Sequence, residues 1–169
     1  MDFRTTDTFR ADIDTVLDAY ADAALAHDLG PLTPLSAGEV VEQSRDNDVI
    51  HIEVRYRYQG DLPPGADKLV DPRLLTWVLV SDLDLKLRQS SLVLKPDHYA
   101  DRLRARAVET FEPSPDGGTV RTTEGRLAVH VLLVAKAVER ALVSGLVEWL
   151  TNEATAIDAW IAERSSPGA

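Results

Sequence analysis

The chain has 169 residues, 44% of them hydrophobic and 27% charged, enough for one core without covalent staples. Its 18 Lys and Arg against 28 Asp and Glu give a formal charge of −10, which argues against a duplex nucleic-acid partner and suits solubility. Cysteine is absent, which excludes disulfides, thiolate metal sites and a thiol nucleophile, and suits a reducing cytoplasm.

The opening MDFRTTDTFRAD has no apolar core of the kind a signal peptide needs. No run of about 18 apolar residues follows, so stable membrane insertion is not expected. Asp2 to Thr8 sets Phe3, Thr5 and Asp7 on one side, a weakly patterned edge strand. A helix begins at Asp12-Ile13-Asp14, with Ile13, Val16, Leu17, Tyr20, Ala24 and Leu25 at helical spacing until Gly30-Pro31. From Glu39 the period changes to two. In VIHIEVRYRY, Ile50, Ile52, Val54, Tyr56 and Tyr58 alternate with His51, Glu53, Arg55 and Arg57, one buried and one wet face of an antiparallel strand. Val40 to Ser44 is its hairpin partner across Asp46-Asn47-Asp48.

Leu62-Pro63-Pro64-Gly65 ends that unit. Leu74 to Val80 suits either a short helix or a strand buried on both faces. Leu83, Leu85 and Leu87 then alternate with Asp84, Lys86 and Arg88, a half-buried strand expected to run on through SSLVLK to Pro96. Another strand carries Leu103, Ala105 and Ala107 on one face and Arg102, Arg104 and Arg106 on the other. Pro113, Pro115 and Asp116-Gly117-Gly118 make a turn, and a last strand spans Thr119 to Val131. Leu132 to Ser166 is a long helix. Its stripe runs from Val134, Ala137, Val138, Ala141, Leu142, Gly145, Leu146, Trp149 and Leu150 to Ile157, Trp160 and Ile161, with Lys136, Glu139, Arg140, Glu148 and Glu153 off it. Some 30 residues of helix reach about 45 Å, enough to cross a whole sheet. Ala137, Ala141 and Gly145 either allow close approach or leave volume unfilled.

This order of elements, the long last helix and the segments PPGADKLV, LKLRQSSLVL and LLVAKAVERALVSGLVEWL resemble the START/SRPBCC superfamily, the birch-pollen-allergen-like helix-grip proteins. Within it the chain is most similar to an uncharacterised actinobacterial group. The resemblance covers residues 1–166 as one domain, leaves 167–169 as a tail, and is one of pattern rather than of an invariant motif. It implies an α+β helix-grip fold: a curved antiparallel sheet wrapped around the C-terminal helix, one or two short helices after the first strand, and an apolar cavity between sheet and helix. Members bind lipids, sterols, polyketides or hormones, and others are cyclases, aromatases or activators of a chaperone ATPase.

The residues that would line such a cavity are Tyr56, Tyr58, Leu85, Leu87, Ala105, Ala107, Leu142, Leu146 and Trp149, small side chains leaving space and aromatic ones giving walls with polar tips. The alternative is a close-packed core in which larger side chains fill what the alanines leave. Glu109 is the one candidate general acid or base: continued alternation turns it inward, whereas a bulge at Val108 turns it outward, the more ordinary outcome. His51 and His130 fall on the outer face, and His27 and His98 near a helix end and in a turn. Asp12, Asp14 and Asp18 lack the glycine and terminal glutamate of a calcium loop, so no metal is expected, and no cofactor. Arg102, Arg104 and Arg106, with Arg55 and Arg57, form either a patch for an anionic partner or ordinary cross-strand pairs with Glu53 or Asp84. No phosphate loop, nucleophile elbow or HExxH helix occurs.

These readings point to carriage of a hydrophobic small molecule, lipid or polyketide-like, by a cytoplasmic protein. The alternatives are a cyclase or aromatase using Glu109 or a tyrosine, and a chaperone-linked or homodimeric interaction module presenting Leu74 to Val80 as a lid or contact surface.

Overall fold

The computed structural model describes residues 1–61, 71–130 and 135–165. Strand β1 (Asp2–Phe9) is followed by helices α1 (Ile13–Ala21) and α2 (Ala24–Asp28), strands β2 (Glu39–Asp46), β3 (Val49–Arg57), β4 (Thr76–Asp84), β5 (Gln89–Pro96), β6 (Leu103–Pro113) and β7 (Thr119–Val129), and helix α3 (Ala135–Ser165). The strands form one curved seven-stranded sheet in the order β1-β7-β6-β5-β4-β3-β2, antiparallel throughout, with β1 at an edge. Helix α3 lies against its concave face, the arrangement of a helix-grip fold. Among the described residues no helix is long and apolar enough to cross a membrane.

Local chemistry sets each boundary. Asp12 caps α1, its Oδ1 accepting from the Thr15 amide at 3.0 Å. The helical pattern expected to run to Leu25 is split at Asp22, whose backbone is extended (φ −82°, ψ 119°) and whose side chain accepts from the Ala24 amide at 2.8 Å, starting α2 afresh. The β2–β3 turn holds Asn47 at φ 53°, a left-handed conformation that asparagine tolerates. In β3, Ile50, Ile52, Val54 and Tyr56 are buried, as the alternation requires. Tyr58 lies one residue beyond the strand, bridged to Leu35.

Within the segment Leu74 to Val80, Thr76 to Val80 is a sheet strand and Leu74 ends the turn before it. After a 3-10 turn at Pro72–Leu74, β4 pairs with β3 on one side and β5 on the other, burying Val78 and Val80. The single strand expected from Leu83 to Pro96 is instead a hairpin. Asp84 Oδ1 accepts from the amides of Lys86 (2.9 Å) and Leu87 (2.8 Å), and Arg88 adopts φ 54°, so the chain reverses where the leucine alternation suggested continuity. Leu87 is consequently 69% exposed. The β6–β7 register is unbroken from Leu103↔Val129 to Pro113↔Thr119, so there is no bulge at Val108 and Glu109 faces inward.

Helix α3 differs along its length. Its fully buried residues, Trp149, Leu150, Ala154, Ile157 and Ile161, run from the middle of the helix toward its C-terminal end, in one core with Phe9, Val16, Leu17, Leu83 and Phe111. The stripe expected to be buried from end to end is not: Ala137 and Ala141 are exposed, and Leu142, Gly145 and Leu146 are only half-buried. Glu153, placed off the stripe by the pattern, instead points inward, with 13% of its side chain exposed. Gly145 does not serve close approach, since a Cβ there would meet only Pro34 Cγ at 3.8 Å. It leaves space.

Ile157→Ala should therefore cost about 3 kcal/mol in urea unfolding, and Leu142→Ala less than about 1 kcal/mol. Equal losses would show that the N-terminal half of α3 is packed like the C-terminal half.

Candidate functional site

The space between sheet and helix divides into three adjoining compartments that meet at Trp149, whose side chain borders all of them. One, of about 130 Å³, is bounded by Leu35, Tyr58, Trp77, Leu103, Ala105 and Leu127 against Leu142, Gly145 and Leu146 of α3. A second, of about 60 Å³, lies over Ala105, Ala107, Leu92 and Leu94 beneath Leu146. The third, of about 90 Å³, is bounded by Leu25, Ile52, Val54, Tyr56 and Leu79, and ends on Tyr20, Glu109 and Glu153. Alternation places one small face of β6 opposite the half-buried half of α3, and the missing side-chain volume of Ala105, Ala107 and Gly145 appears as cavity. The Tyr56 ring meets Trp149 edge-on, centroids 5.8 Å apart.

Of the lining residues expected from sequence, Tyr56, Tyr58, Ala105, Ala107, Leu142, Leu146 and Trp149 come together here. Leu85 and Leu87 do not. Both sit in the β4–β5 turn made by Asp84, where Leu85 packs on the edge of the core and Leu87 is in solvent.

The polar end is built on Arg121, whose side chain is 0% exposed. Its guanidinium donates to Glu153 Oε2 (2.6 Å), Asp7 Oδ2 (3.0 Å), the Leu150 carbonyl (2.8 Å) and the Tyr20 hydroxyl. Glu109 Oε1 stands 3.5 Å from the same guanidinium and accepts from Thr123 Oγ1 at 3.2 Å. The Nε of Arg121 is buried with no hydrogen-bond partner among the described residues. Burial works against the arginine's charge, but Tyr20, Glu109 and Glu153 around it outweigh that cost and raise its pKa. Burial pushes the Glu109 carboxyl up to about 7, against the pull of Arg121 and with the Glu153 charge adding to the rise. Glu153 is raised for the same first reason, and the Tyr56 phenol by burial and then by the Glu153 charge. The guanidinium holds the centre that a metal would need, and no metal-holding group of His, Asp and Glu occurs among the described residues.

Sequence reasoning found Glu109 but missed its partners. The signals were present: Arg121 and Thr123 share the parity of Leu127 and Val129, Asp7 shares that of Phe3, and Glu153 lies three and four residues from Leu150 and Trp149. A charged residue at an inward position was the clue.

The remaining candidates lie outside this site. His51 is on the outer face, its Nδ1 2.7 Å from Asp82, a hydrogen bond that raises its pKa, and His27, His98 and His130 are exposed. Arg102, Arg104 and Arg106 are exposed on the outer face of β6. Arg55 pairs with Asp97 (3.4 Å), not with Glu53 or Asp84, because Lys95 takes Glu53 (2.9 Å) and the carboxylate of Asp84 is spent on its turn.

Because the folded-state pKa of Glu109 is raised, from 4.5 to about 7, the folded protein keeps a proton there that the unfolded chain has already lost. Stability contributed by this group therefore falls as pH rises through that window and levels off above it. Glu109→Gln removes the slope: the stability difference between variant and wild type should shift by about 2 kcal/mol in the variant's favour between pH 5 and pH 7.5. Parallel pH profiles would show that Glu109 is not the group responsible.

No curated protein matches the chain in sequence. Its fold is shared with the Zhui aromatase/cyclase from Streptomyces sp. R1128, at a TM-score of 0.66 and 14% identity over 100% of this chain and 98% of that one. Norcoclaurine synthase from Thalictrum flavum superposes at 0.62 with 18% identity, covering 96% and 87% of the respective chains. A START superfamily protein from Mycobacterium smegmatis does so at 0.59 with 12% identity, covering 97% and 99%. Identities this low establish the START/SRPBCC fold alone. In sequence, residues 4–161 match the family described as "Protein of unknown function (DUF2505)", and the chain belongs to that family.

Proposed function

We propose that this protein encloses a hydrophobic small molecule, lipid or polyketide-like, between its sheet and the N-terminal half of α3, as a carrier or sensor. The observation that carries this reading is the set of mainly apolar compartments meeting at Trp149 beneath a stretch of helix with no fully buried residue. A helix segment that contributes little to the core is free to yield to a guest. The composition, without cysteine, suits a reducing compartment such as the cytoplasm.

A second reading, catalysis of the cyclase or aromatase type, is favoured by one specific feature. Glu109 is buried at the end of the apolar space with a pKa of about 7, which suits a group that gives and takes a proton near neutral pH. The structurally similar proteins named aromatase/cyclase and norcoclaurine synthase lend support to this reading.

The test of the first reading is Ala105→Leu, which puts a larger side chain into two compartments at once. Uptake of the neutral dye Nile red, followed by its fluorescence, should weaken by about tenfold or more, with thermal unfolding unchanged or raised by the filled space. Leu87→Ala, at the exposed turn, should leave uptake unaltered. Unchanged uptake in Ala105→Leu would move the ligand elsewhere.

A further inference from the structure

The polar end of the cavity holds more acid than base. Three carboxylates, Asp7, Glu109 and Glu153, surround the single guanidinium of Arg121. Asp7 and Glu153 take its two terminal nitrogens at 3.0 and 2.6 Å, so Glu109 is left with the longest contact, and only its Oε1 is engaged. A buried charge surplus of this kind is costly unless a cation or a proton offsets it. A second observation points to the same place. Tyr56 is only 8% exposed and lines the same compartment as Glu109 and Glu153, yet its hydroxyl has no hydrogen-bond partner among the described residues. The Tyr56 hydroxyl is not sealed off like Arg121 Nε but borders the open space of the compartment, where it can bond to a guest.

An anionic head group would be repelled from this end, and a neutral hydroxyl would satisfy Tyr56 but leave the charge. An ammonium answers both, with three N–H donors and one positive charge, and the aromatic rings of Tyr56 and Trp149 in the wall of the same compartment suit a cation with an apolar body. We infer that the cavity takes a hydrophobic primary amine, its ammonium seated between Glu109, Glu153 and Tyr56 and its apolar body directed past Trp149. This rests on the cavity reading above and specifies the ligand's polar end.

In the empty protein the competing occupant is a proton on Glu109. The groups facing that carboxyl are Arg121 and Thr123 from β7, Asp7 from β1, Tyr20 from α1, Glu153 from α3, and Tyr56 and Ser81 from β3 and β4, with Asp22 on the wall of the compartment. Since burial holds the carboxyl near 7, the ammonium must displace a proton at acidic pH and none at alkaline pH. Affinity for an amine should therefore rise about tenfold from pH 6 to pH 8.

The experiment is calorimetric titration of the full chain with 2-phenylethylamine and its neutral counterpart 2-phenylethanol, alongside Nile red uptake. At pH 8 the amine should bind about tenfold or more tightly than the alcohol. That preference should shrink about tenfold at pH 6 and vanish in Glu109→Gln. Tyr56→Phe, which removes a hydroxyl with no hydrogen-bond partner among the described residues, should weaken amine binding several-fold while leaving thermal unfolding unchanged. Equal or tighter binding of the alcohol at pH 8, or a preference that survives Glu109→Gln, overturns the inference. If that variant does not fold, a wild-type preference that is flat between pH 6 and pH 8 overturns it instead. Uptake of Nile red with no binding of either phenethyl compound overturns the amine and leaves the cavity reading standing, whereas loss of all three overturns both.

Discussion

A guanidinium sealed inside a small protein has to be neutralised there, and the neutralisation of Arg121 organises this fold. The residue belongs to β7, but its partners come from β1, α1, β6 and α3. Breaking any of its carboxylate contacts would leave a buried charge unpaired, so the arrangement is far more demanding than an exposed pair. Thr151 extends it, donating to the second oxygen of Asp7 at 3.0 Å and tying α3 to β1 again. The position of the helix over the sheet is set at this point.

The cavity follows from how α3 is held elsewhere. Its C-terminal half is fastened by Asp158 to the Arg10 amide (3.0 Å) and by Trp160 and Arg164 to Asp28. Near the other end, Glu139 accepts from the Val129 amide at 2.9 Å and faces the N-terminal amine of Met1 at 3.6 Å. Between those anchors the helix passes over Ala105 and Ala107 of β6, and the larger side chains around them leave that volume open. Two anchored ends with an under-packed span form a cavity without requiring strain anywhere. Trp149 sits where the anchored and spanning portions meet, which is why every compartment touches it.

The same geometry explains the division of the cavity into an apolar and an acidic part. Phe3 lies across Gly125, where an added Cβ would come within 2.5 Å of the ring, so the β1 side of the sheet is closed by an aromatic cover. Further along β1, Asp7 replaces the aromatic, and the core there is ionic rather than apolar. Apolar and charged regions are therefore adjacent across the adjoining compartments.

What could be read from the sequence were the features governed by near neighbours along the chain. The two-residue period of Ile50 to Tyr56 specified a half-buried strand, Asp12 specified where the first helix starts, and the apolar stripe specified a long last helix. The helix-grip arrangement itself came from the resemblance of the whole pattern to the START/SRPBCC superfamily, and the alternation placed Ala105 and Ala107 on the inward face of their strand. Such near-neighbour features misread the Leu83 to Pro96 segment, because continuous alternation cannot reveal that the Asp84 carboxylate captures two amides and reverses the chain. They also favoured a bulge at Val108 that would turn Glu109 outward, and placed Glu153 outside. Only the tertiary structure settled these, since inward or outward at those positions depends on an unbroken β6–β7 register and on a guanidinium whose Asp7 partner lies 114 residues away in the chain. Periodicity reports which face of its own element a residue occupies. What that face meets, and whether the space there is filled, charged or empty, is decided by the closure of the sheet around the helix.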